Sequence, residues 1–552
     1  MPRDDHIDKP YLPNRKDFHL EKGTIVKSLM KKVFAAAAAI ATVFGLAATT
    51  VATANAADNA TLTVSTTDAK FAGKTVNAYK MFSATVSGDG KAVSYTLTDE
   101  WKPFFKNSTA SGLTGATDAN VNDKANEYVS SLTGKEKDLV AFAAKASNWA
   151  QKNNITAATT AVSTDATDGK YTATFTGLDY GYYVVAVPGA TLANASGQYA
   201  TLVSVDRTNV TANIKGDLPT VAKKVNGESA TSAKIGDTLT FTLTSTIPDM
   251  SAYDTYTFNF KDTLSQGLTF GQVTSVTVDG VTDPLTVNTD YTVTTPTTSD
   301  NTLTVSMKDF KKQQANAGKK ITVTYTATLN KDAVVGGHGN TNSATIQYSN
   351  NPSSGGTGES EPSKVRVFTY GFTVDKYTGD SYPDKAVRLA GAKFTLAPKD
   401  GGEAIRFVQV NAGNATTNAV YRVAKDDDTV TTTTITTPEN GKVDFQGLKN
   451  GEYTLTETEA PAGYNKLASA IGVKVDGRND GTDTTDATVT ITYDNNNGSD
   501  YDQTASNGVI PVQNKSGVVL PGTGGMGTIA FTVIGVLVIA LGVAWTLKRK
   551  NA

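Results

Sequence analysis

Thr238-Leu239-Thr240-Phe241-Thr242-Leu243-Thr244 places an apolar side chain at every second position, with threonine between. Ile321-Thr322-Val323-Thr324-Tyr325-Thr326-Ala327 and Val489-Thr490-Ile491-Thr492-Tyr493 repeat the pattern. A period of two is that of a strand that buries one face, and β-branched threonine suits the solvated side. Asp-Gly, Asn-Gly and Gly-Gly pairs between such runs supply turn signals. The chain therefore reads as mainly β, in antiparallel sandwiches. One segment departs from this rule. Between Lys135 and Lys152, Leu139, Phe142, Ala143, Ala146 and Trp149 recur at spacings of three and four, the mark of an amphipathic helix packed on a sheet in the first third.

The 552 residues are enough for three or four domains. Cysteine is absent and histidine is limited to His6, His19 and His338, so disulfides, thiolate or imidazole metal sites and triads have little material. No cofactor or metal is expected. Overall charge is near balance, but residues 57–523 carry 40 basic against 48 acidic side chains, a net of −8. An acidic body argues against nucleic acid as a partner, since phosphates need a basic face. Asp426-Asp427-Asp428 and the stretch from Asp476 to Asp486 lack the spacing of a calcium loop and read as solvated turns. His338, among Gly336, Gly337 and Gly339, reads as a loop residue. These features describe a surface protein, not an enzyme.

Both ends carry sorting information. Met30-Lys31-Lys32, the alanine-rich run from Val33 to Ala48, and Ala54-Asn55-Ala56 form a basic, apolar and A-x-A series, the pattern of a secretory signal peptide. The preceding residues form an amino-terminal extension, read either as lying upstream of a translation start at Met30 or as an extended n-region. Ile529 to Leu547 is apolar, uncharged and followed by Lys548-Arg549-Lys550, as for a bilayer-spanning helix with a cytoplasmic basic tail. Just before it stands Leu520-Pro521-Gly522-Thr523-Gly524. This resembles the LPxTG sorting signal of Gram-positive cell-surface proteins. The resemblance implies that a sortase cysteine attacks the Thr523 carbonyl, releases Gly524 onward, and leads to covalent attachment to peptidoglycan.

Composition shifts at Asp217-Leu218-Pro219-Thr220 and across the Asn-, Pro-, Ser- and Gly-rich stretch 349–363, read as a linker or loop, divide the chain. The expected units are 1–56, the signal peptide with its extension; 57–216; 217–363; 364–516; and 517–552, the sorting signal.

Tyr453-Thr454-Leu455-Thr456-Glu457-Thr458-Glu459-Ala460-Pro461-Ala462-Gly463-Tyr464 matches every fixed letter of YxLxETxAPxGY. That is the E-box of sortase-assembled pilins and related adhesins. Val374-Asp375-Lys376, Leu389-Ala390-Gly391-Ala392-Lys393-Phe394 and Val512-Gln513-Asn514-Lys515 complete the resemblance to a collagen-adhesin B-type, immunoglobulin-like sandwich. It implies that Lys376 and Asn514 join as an isopeptide with Glu457 as the promoting acid. The middle unit is similar to backbone pilin domains through Lys223-Lys224, Phe260-Lys261-Asp262-Thr263-Leu264 and Thr341-Asn342-Ser343. There the resemblance implies Lys223 and Asn342 as the joined pair and Asp262 as the acid. Alternation lets only one of Lys223 and Lys224 face inward, and the family register favours the first. In the first unit, Ala78-Tyr79-Lys80-Met81-Phe82 and Gly177-Leu178-Asp179-Tyr180-Gly181-Tyr182-Tyr183 resemble pilin amino-terminal domains, but no triplet is assigned.

The chemistry is self-consistent. Burial favours neutral lysine, which is the nucleophilic form, and favours a protonated carboxyl able to polarise the asparagine carbonyl. Folding supplies proximity. For polymerisation the resemblance requires an exposed lysine near the end of the first unit. The family often has Tyr-Pro-Lys there; here Ile214-Lys215-Gly216 offers Lys215 without Tyr-Pro. The expected function is a structural backbone subunit of a wall-anchored pilus, or fimbrium, of a Gram-positive bacterium. Its expected partners are sortase, further copies of itself, peptidoglycan, a tip pilin and a host receptor for adhesion. The alternative is a monomeric wall-anchored adhesin that binds a host protein or glycan. A wall-anchored hydrolase lacks any carboxylate pair singled out by the sequence.

Overall fold

In the four-stranded sheet at the centre of the chain, Thr238–Thr246 lies between Lys320–Leu329 and Ala222–Val225, with Leu268–Val278 at the far edge. Leu239, Phe241 and Leu243 point inward, and the threonines between them face out. The computed structural model describes residues 59–190, 200–214, 216–350, 355–478, 486–494, 501–517 and 526–550. The signal segment, Lys215 and the Leu520 to Gly524 motif lie outside the described residues.

The first region, from Ala60 to Asn213, has two sheets. Ala60–Thr66 runs parallel to Asn209–Asn213 and antiparallel to Tyr171–Leu178. Thr75–Val86 is the hub of the other sheet, pairing with Val93–Leu97, Ala157–Ala161 and Gly181–Ala186. The anticipated helix is Glu136–Lys152, with Phe142, Ala143 and Ala146 fully buried. It is not alone. Lys102–Lys106, Ser108–Ser111 and Val121–Ser131 are helical as well. Phe104 packs its ring on Phe105, Phe142 and Trp149, with centroids 5.1, 5.8 and 5.7 Å away. Each such buried aromatic contributes about 1.5–3 kcal/mol, which outweighs the weak propensity of one-turn helices.

The second region faces its four-stranded sheet with a seven-stranded one, ordered Ala230–Ser232, Ser363–Phe368, Asn340–Ser349, Phe258–Leu264, Thr302–Met307 and Tyr291–Thr294. Thr357–Glu359 adds to Asn340–Ser349. Two expectations change here. The stretch 349–363 is not a plain linker, because Thr357–Glu359 pairs back in register with Gln347 to Ser349. Ser363–Phe368 also pairs within the second region, so the 363/364 division falls at the start of a strand whose Val365, Val367 and Phe368 are buried. A polar, glycine-rich segment is as suited to a hairpin turn as to a linker, and composition alone does not separate them.

The third region places Val387–Arg388, Tyr370–Thr378, Lys442–Leu448, Ala419–Val423 and Phe407–Asn411 in one sheet, with Val509–Gln513 parallel to Tyr370–Thr378. Against it stands the sheet built around Lys393–Pro398, Gly451–Glu459, Ile471–Arg478 and Thr488–Tyr493. Arg422 forms an ion pair with Asp428 at 3.0 Å, and His338 Nδ1 lies 2.7 Å from the Asp486 carboxylate. The chain ends in the helix Met526–Lys550, whose side chains are described for residues 532–547 and for Arg549. Among the described residues no helix is long and apolar enough to cross a membrane. The span expected over 529–547 extends past those side chains.

Candidate cross-linking sites

Among the described residues the buried lysines are Lys223 and Lys376. Both side chains have no exposed surface, and each meets an equally buried acid, Asp262 or Glu457. Burying a charge costs several kcal/mol unless it is paired, so an isolated lysine is not retained in a core by packing alone.

Lys223 sits on Ala222–Val225, where alternation turns it inward and leaves Lys224 exposed. Its Nζ lies 5.1 Å from the Phe241 ring centroid and 5.3 Å from that of Tyr325, two rings stacked at 5.2 Å. From the opposite sheet, Phe258–Leu264 supplies Asp262 and Asn340–Ser349 supplies Asn342. In their antiparallel register Leu264 faces Asn342 and Asp262 faces Ala344, so the acid and the amide are diagonal neighbours on one face. Lys223 Nζ forms a short ion pair with Asp262 Oδ2. Burial pushes the Lys223 amine below its ordinary value, opposed by the Asp262 charge. Asn342 is not on the last strand of its region, since Thr357–Glu359 and Ser363–Phe368 follow it.

A residue not singled out from sequence completes this cluster. The Tyr325 hydroxyl donates to Asp262 Oδ2 at 2.6 Å and accepts from Asn342 Nδ2 at 2.6 Å and Lys223 Nζ at 3.1 Å. Its alternating strand marked Tyr325 only as core, and no sequence signal separated it from any other inward aromatic.

In the third region the parallel pair brings the first and last strands together, with Lys376 opposite Val512. Asn514 follows at once, its backbone N–H donating to the Tyr377 carbonyl at 2.9 Å. Glu457 comes from the facing sheet on Gly451–Glu459. Lys376 Nζ lies 3.0 Å from Glu457 Oε1, an ion-pair distance at angles outside hydrogen-bond geometry. Glu457 Oε2 accepts from Asn514 Nδ2 at 3.0 Å and from the Leu467 N–H at 2.7 Å. Asn514 Nδ2 also donates to the Asn465 carbonyl at 2.9 Å, so the segment after the E-box helps fix the amide. Burial pushes the Lys376 amine down to about 8, with the Glu457 charge opposing.

Beside Lys376, buried Asp375 is met by Arg388 Nε at 2.6 Å and by the Tyr382 hydroxyl at 2.9 Å. It is thereby committed to its own partners. In the first region, Lys80 pairs with Asp179 at a partly exposed position, and no described lysine there is buried.

The lowered Lys376 value sets a pH dependence. Asn514→Ala keeps the lysine–acid pair without an acceptor amide. Between about 8 and 10.5 the unfolded chain binds more protons than the folded one, so stability rises with pH across that window. The penalty is full below pH 8, at about 3 kcal/mol, and is released by the unfolded lysine value. Denaturant midpoints of Asn514→Ala measured from pH 7 to 10 should increase. A flat profile would show that the amine is not depressed.

Residues 235–352 match the model of the Gram-positive pilin backbone subunit 2, Cna-B-like domain. Residues 383–491 match a prealbumin-like fold domain, and residues 512–552 an LPXTG cell wall anchor motif. The trypsin-resistant surface T6 protein of Streptococcus pyogenes serotype M6 is 25% identical over 270 residues, covering 46% of this chain and 45% of that protein. Platelet adherence protein A of Streptococcus gordonii is 32% identical over 192 residues, covering 34% of this chain and 5% of that protein. The matches thus span about half of the one relative and a small part of the other. Among solved structures, the T6 backbone pilin of Streptococcus pyogenes aligns at 18% identity and TM-score 0.44, covering 84% of this chain and 100% of that one. The full-length major pilin SpaD of Corynebacterium diphtheriae aligns at 19% identity and TM-score 0.39, covering 84% and 98%.

Proposed function

From a chain that combines a pilin-backbone domain, a prealbumin-like domain and an LPXTG wall anchor, we infer a structural backbone subunit of a sortase-assembled pilus on a Gram-positive cell surface. The three β regions act as successive segments of the shaft, with 1–56 removed on export. Sortase cuts after Thr523 and passes its carbonyl to Lys215 of another copy, or to peptidoglycan at the base. The apolar helix and the basic tail hold the motif at the membrane until then. Val533, Ile534, Leu537, Leu541 and Trp545 on that helix are all more than half exposed, which an apolar environment would cover.

The observation that carries the reading is the burial of Lys223 and Lys376, each beside an acid and an asparagine. In each cluster neutral lysine attacks the asparagine carbonyl carbon. A C–N bond forms, the bond to Nδ2 breaks, and ammonia leaves. The acid collects the proton shed by the lysine, and a proton passes to the departing nitrogen. No separate substrate is turned over, so the chain is a sortase substrate with a single self-modification at each site. Covalent bonds between strands suit a molecule with no cysteine whose working state is under tension.

Two measurements test this reading. Intact mass of the recombinant chain should fall about 34 Da below its sequence value, one ammonia per bond, an estimate for two amide-forming attacks by amines. Boiled, denatured wall extracts should run as a high-molecular-weight ladder. An unshifted mass removes the cross-links. A wall-bound monomer with no ladder favours an adhesin that works singly.

A further inference from the structure

The two clusters solve one chemical problem with carboxylic acids of different length. Glu457 reaches both partners itself: Oε1 lies 3.0 Å from Lys376 Nζ, and Oε2 accepts from Asn514 Nδ2 at 3.0 Å. Asp262, one methylene shorter, pairs with Lys223 through Oδ2, and its other oxygen, Oδ1, has no hydrogen-bond partner among the described residues. Asn342 Nδ2 donates instead to the Tyr325 hydroxyl, which in turn donates to Asp262. Among the described residues, the hydrogen-bonded route from the acid to the leaving nitrogen therefore passes through a phenol.

We propose that Tyr325 is a catalytic residue of the second-region cross-link, carrying a proton from Asp262 to the asparagine nitrogen that leaves as ammonia. The proposal rests on the cross-linking reading above and extends it. A first proton moves from the Lys223 ammonium to Asp262, leaving a neutral amine. The amine attacks Asn342 Cγ. As the Cγ–Nδ2 bond breaks, the phenolic hydrogen goes to Nδ2 while the phenol oxygen takes the Asp262 proton. Asp262 then receives the second lysine proton. The products are one secondary amide, one ammonia and a protonated Asp262, with Tyr325 restored.

Two further features fit a carrier. Tyr325 is fully buried and its ring is held against Phe241 at 5.2 Å, so the hydroxyl is fixed and shielded from water. Burial and the neighbouring Asp262 charge keep the phenol well above its ordinary pKa, so it stays protonated and ready to donate. A relay of this kind needs no net change in the phenol.

Tyr325→Phe removes one oxygen and keeps the ring. In pulse-labelled full-length chain, peptide mapping should find the branched Lys223–Asn342 peptide forming about 100-fold more slowly than in the unaltered chain, the scale of a lost proton-transfer group. The Lys376–Asn514 bond in the same molecules should form normally, which reports that the third region has folded, while the double variant below reports on the second. Asp262→Glu combined with Tyr325→Phe should recover most of the rate, because the longer acid reaches the amide directly. Formation at the unaltered rate in Tyr325→Phe overturns the proposal and leaves the cross-link reading standing. A slow single variant without recovery in the double variant also overturns it, since the hydroxyl would then serve packing only. Absence of the branched peptide from the unaltered chain defeats the cross-link reading and this proposal together.

Discussion

Glu457→Ala should shrink the deficit of intact mass below the variant's own sequence value by one ammonia, about 17 Da, and lower the unfolding temperature of the third region by on the order of 20 °C. The mass follows from the position of the acid. Glu457 is the group that touches both Lys376 and Asn514, so without it neither the lysine proton nor the leaving nitrogen has an acceptor or donor at hand. The stability loss has two sources. A link between Lys376 and Asn514 closes a loop on the order of a hundred residues, and the chain-entropy contribution of such a closure is about 5 kcal/mol. The variant also strands a lysine in the core, which limits the cost by giving up its proton. Calorimetry and intact mass on the same sample read both effects. A variant that keeps the lower mass would remove Glu457 from the chemistry; one that loses the bond without melting earlier would remove the cross-link from the stability of the fold.

Lys215→Ala should abolish the covalent ladder while leaving the chain attached to the wall. In the proposed assembly, polymerisation and anchoring use the same acyl donor, the Thr523 carbonyl, but different amines. Deleting the lysine removes only the step that lengthens the polymer. Thr523→Ala, by contrast, should abolish both outcomes. The segments flanking Lys215 are held in place: Ile214 donates its N–H to the Ser65 carbonyl at 2.8 Å, and Asp217 pairs with Lys70 at 2.5 Å. Immunoblots of wall extracts and of culture medium distinguish the outcomes. A persistent ladder in Lys215→Ala would assign the nucleophile to another lysine.

The strand pattern carried a good deal of this molecule. Alternation at 222–225 required that only one of Lys223 and Lys224 face inward, because a side-chain period of two admits no compromise, but which one rested on the family register, and the strand turns Lys223 in. The helix at Glu136–Lys152 was equally legible, since seventeen residues give several turns of a repeating face. The helices between Lys102 and Ser131 were not read as such. Two of them are single turns: Lys102–Lys106 persists because Phe104 and Phe105 are buried, and Ser108–Ser111 is started by the Asn107 side chain accepting from the Ala110 N–H. Placing the boundary at 363/364 cut Ser363–Phe368 from the rest of the second region for a related reason. Its membership depends on pairing with Asn340 to Ala344, which local composition does not encode.

By itself the sequence determined the β class, the LPXTG anchor motif near the carboxyl end, and the residue types able to form a bond without a thiol. Those are properties of short windows, in which period, charge and motif are complete. Tertiary structure decided which groups meet: the diagonal of Asp262 and Asn342 across one strand pair, the parallel first and last strands that set Lys376 beside Asn514, and the Tyr325 hydroxyl between acid and amide. Such meetings depend on register and on how two sheets face one another, and ångström-scale distances between residues far apart in the chain exist only once both are fixed.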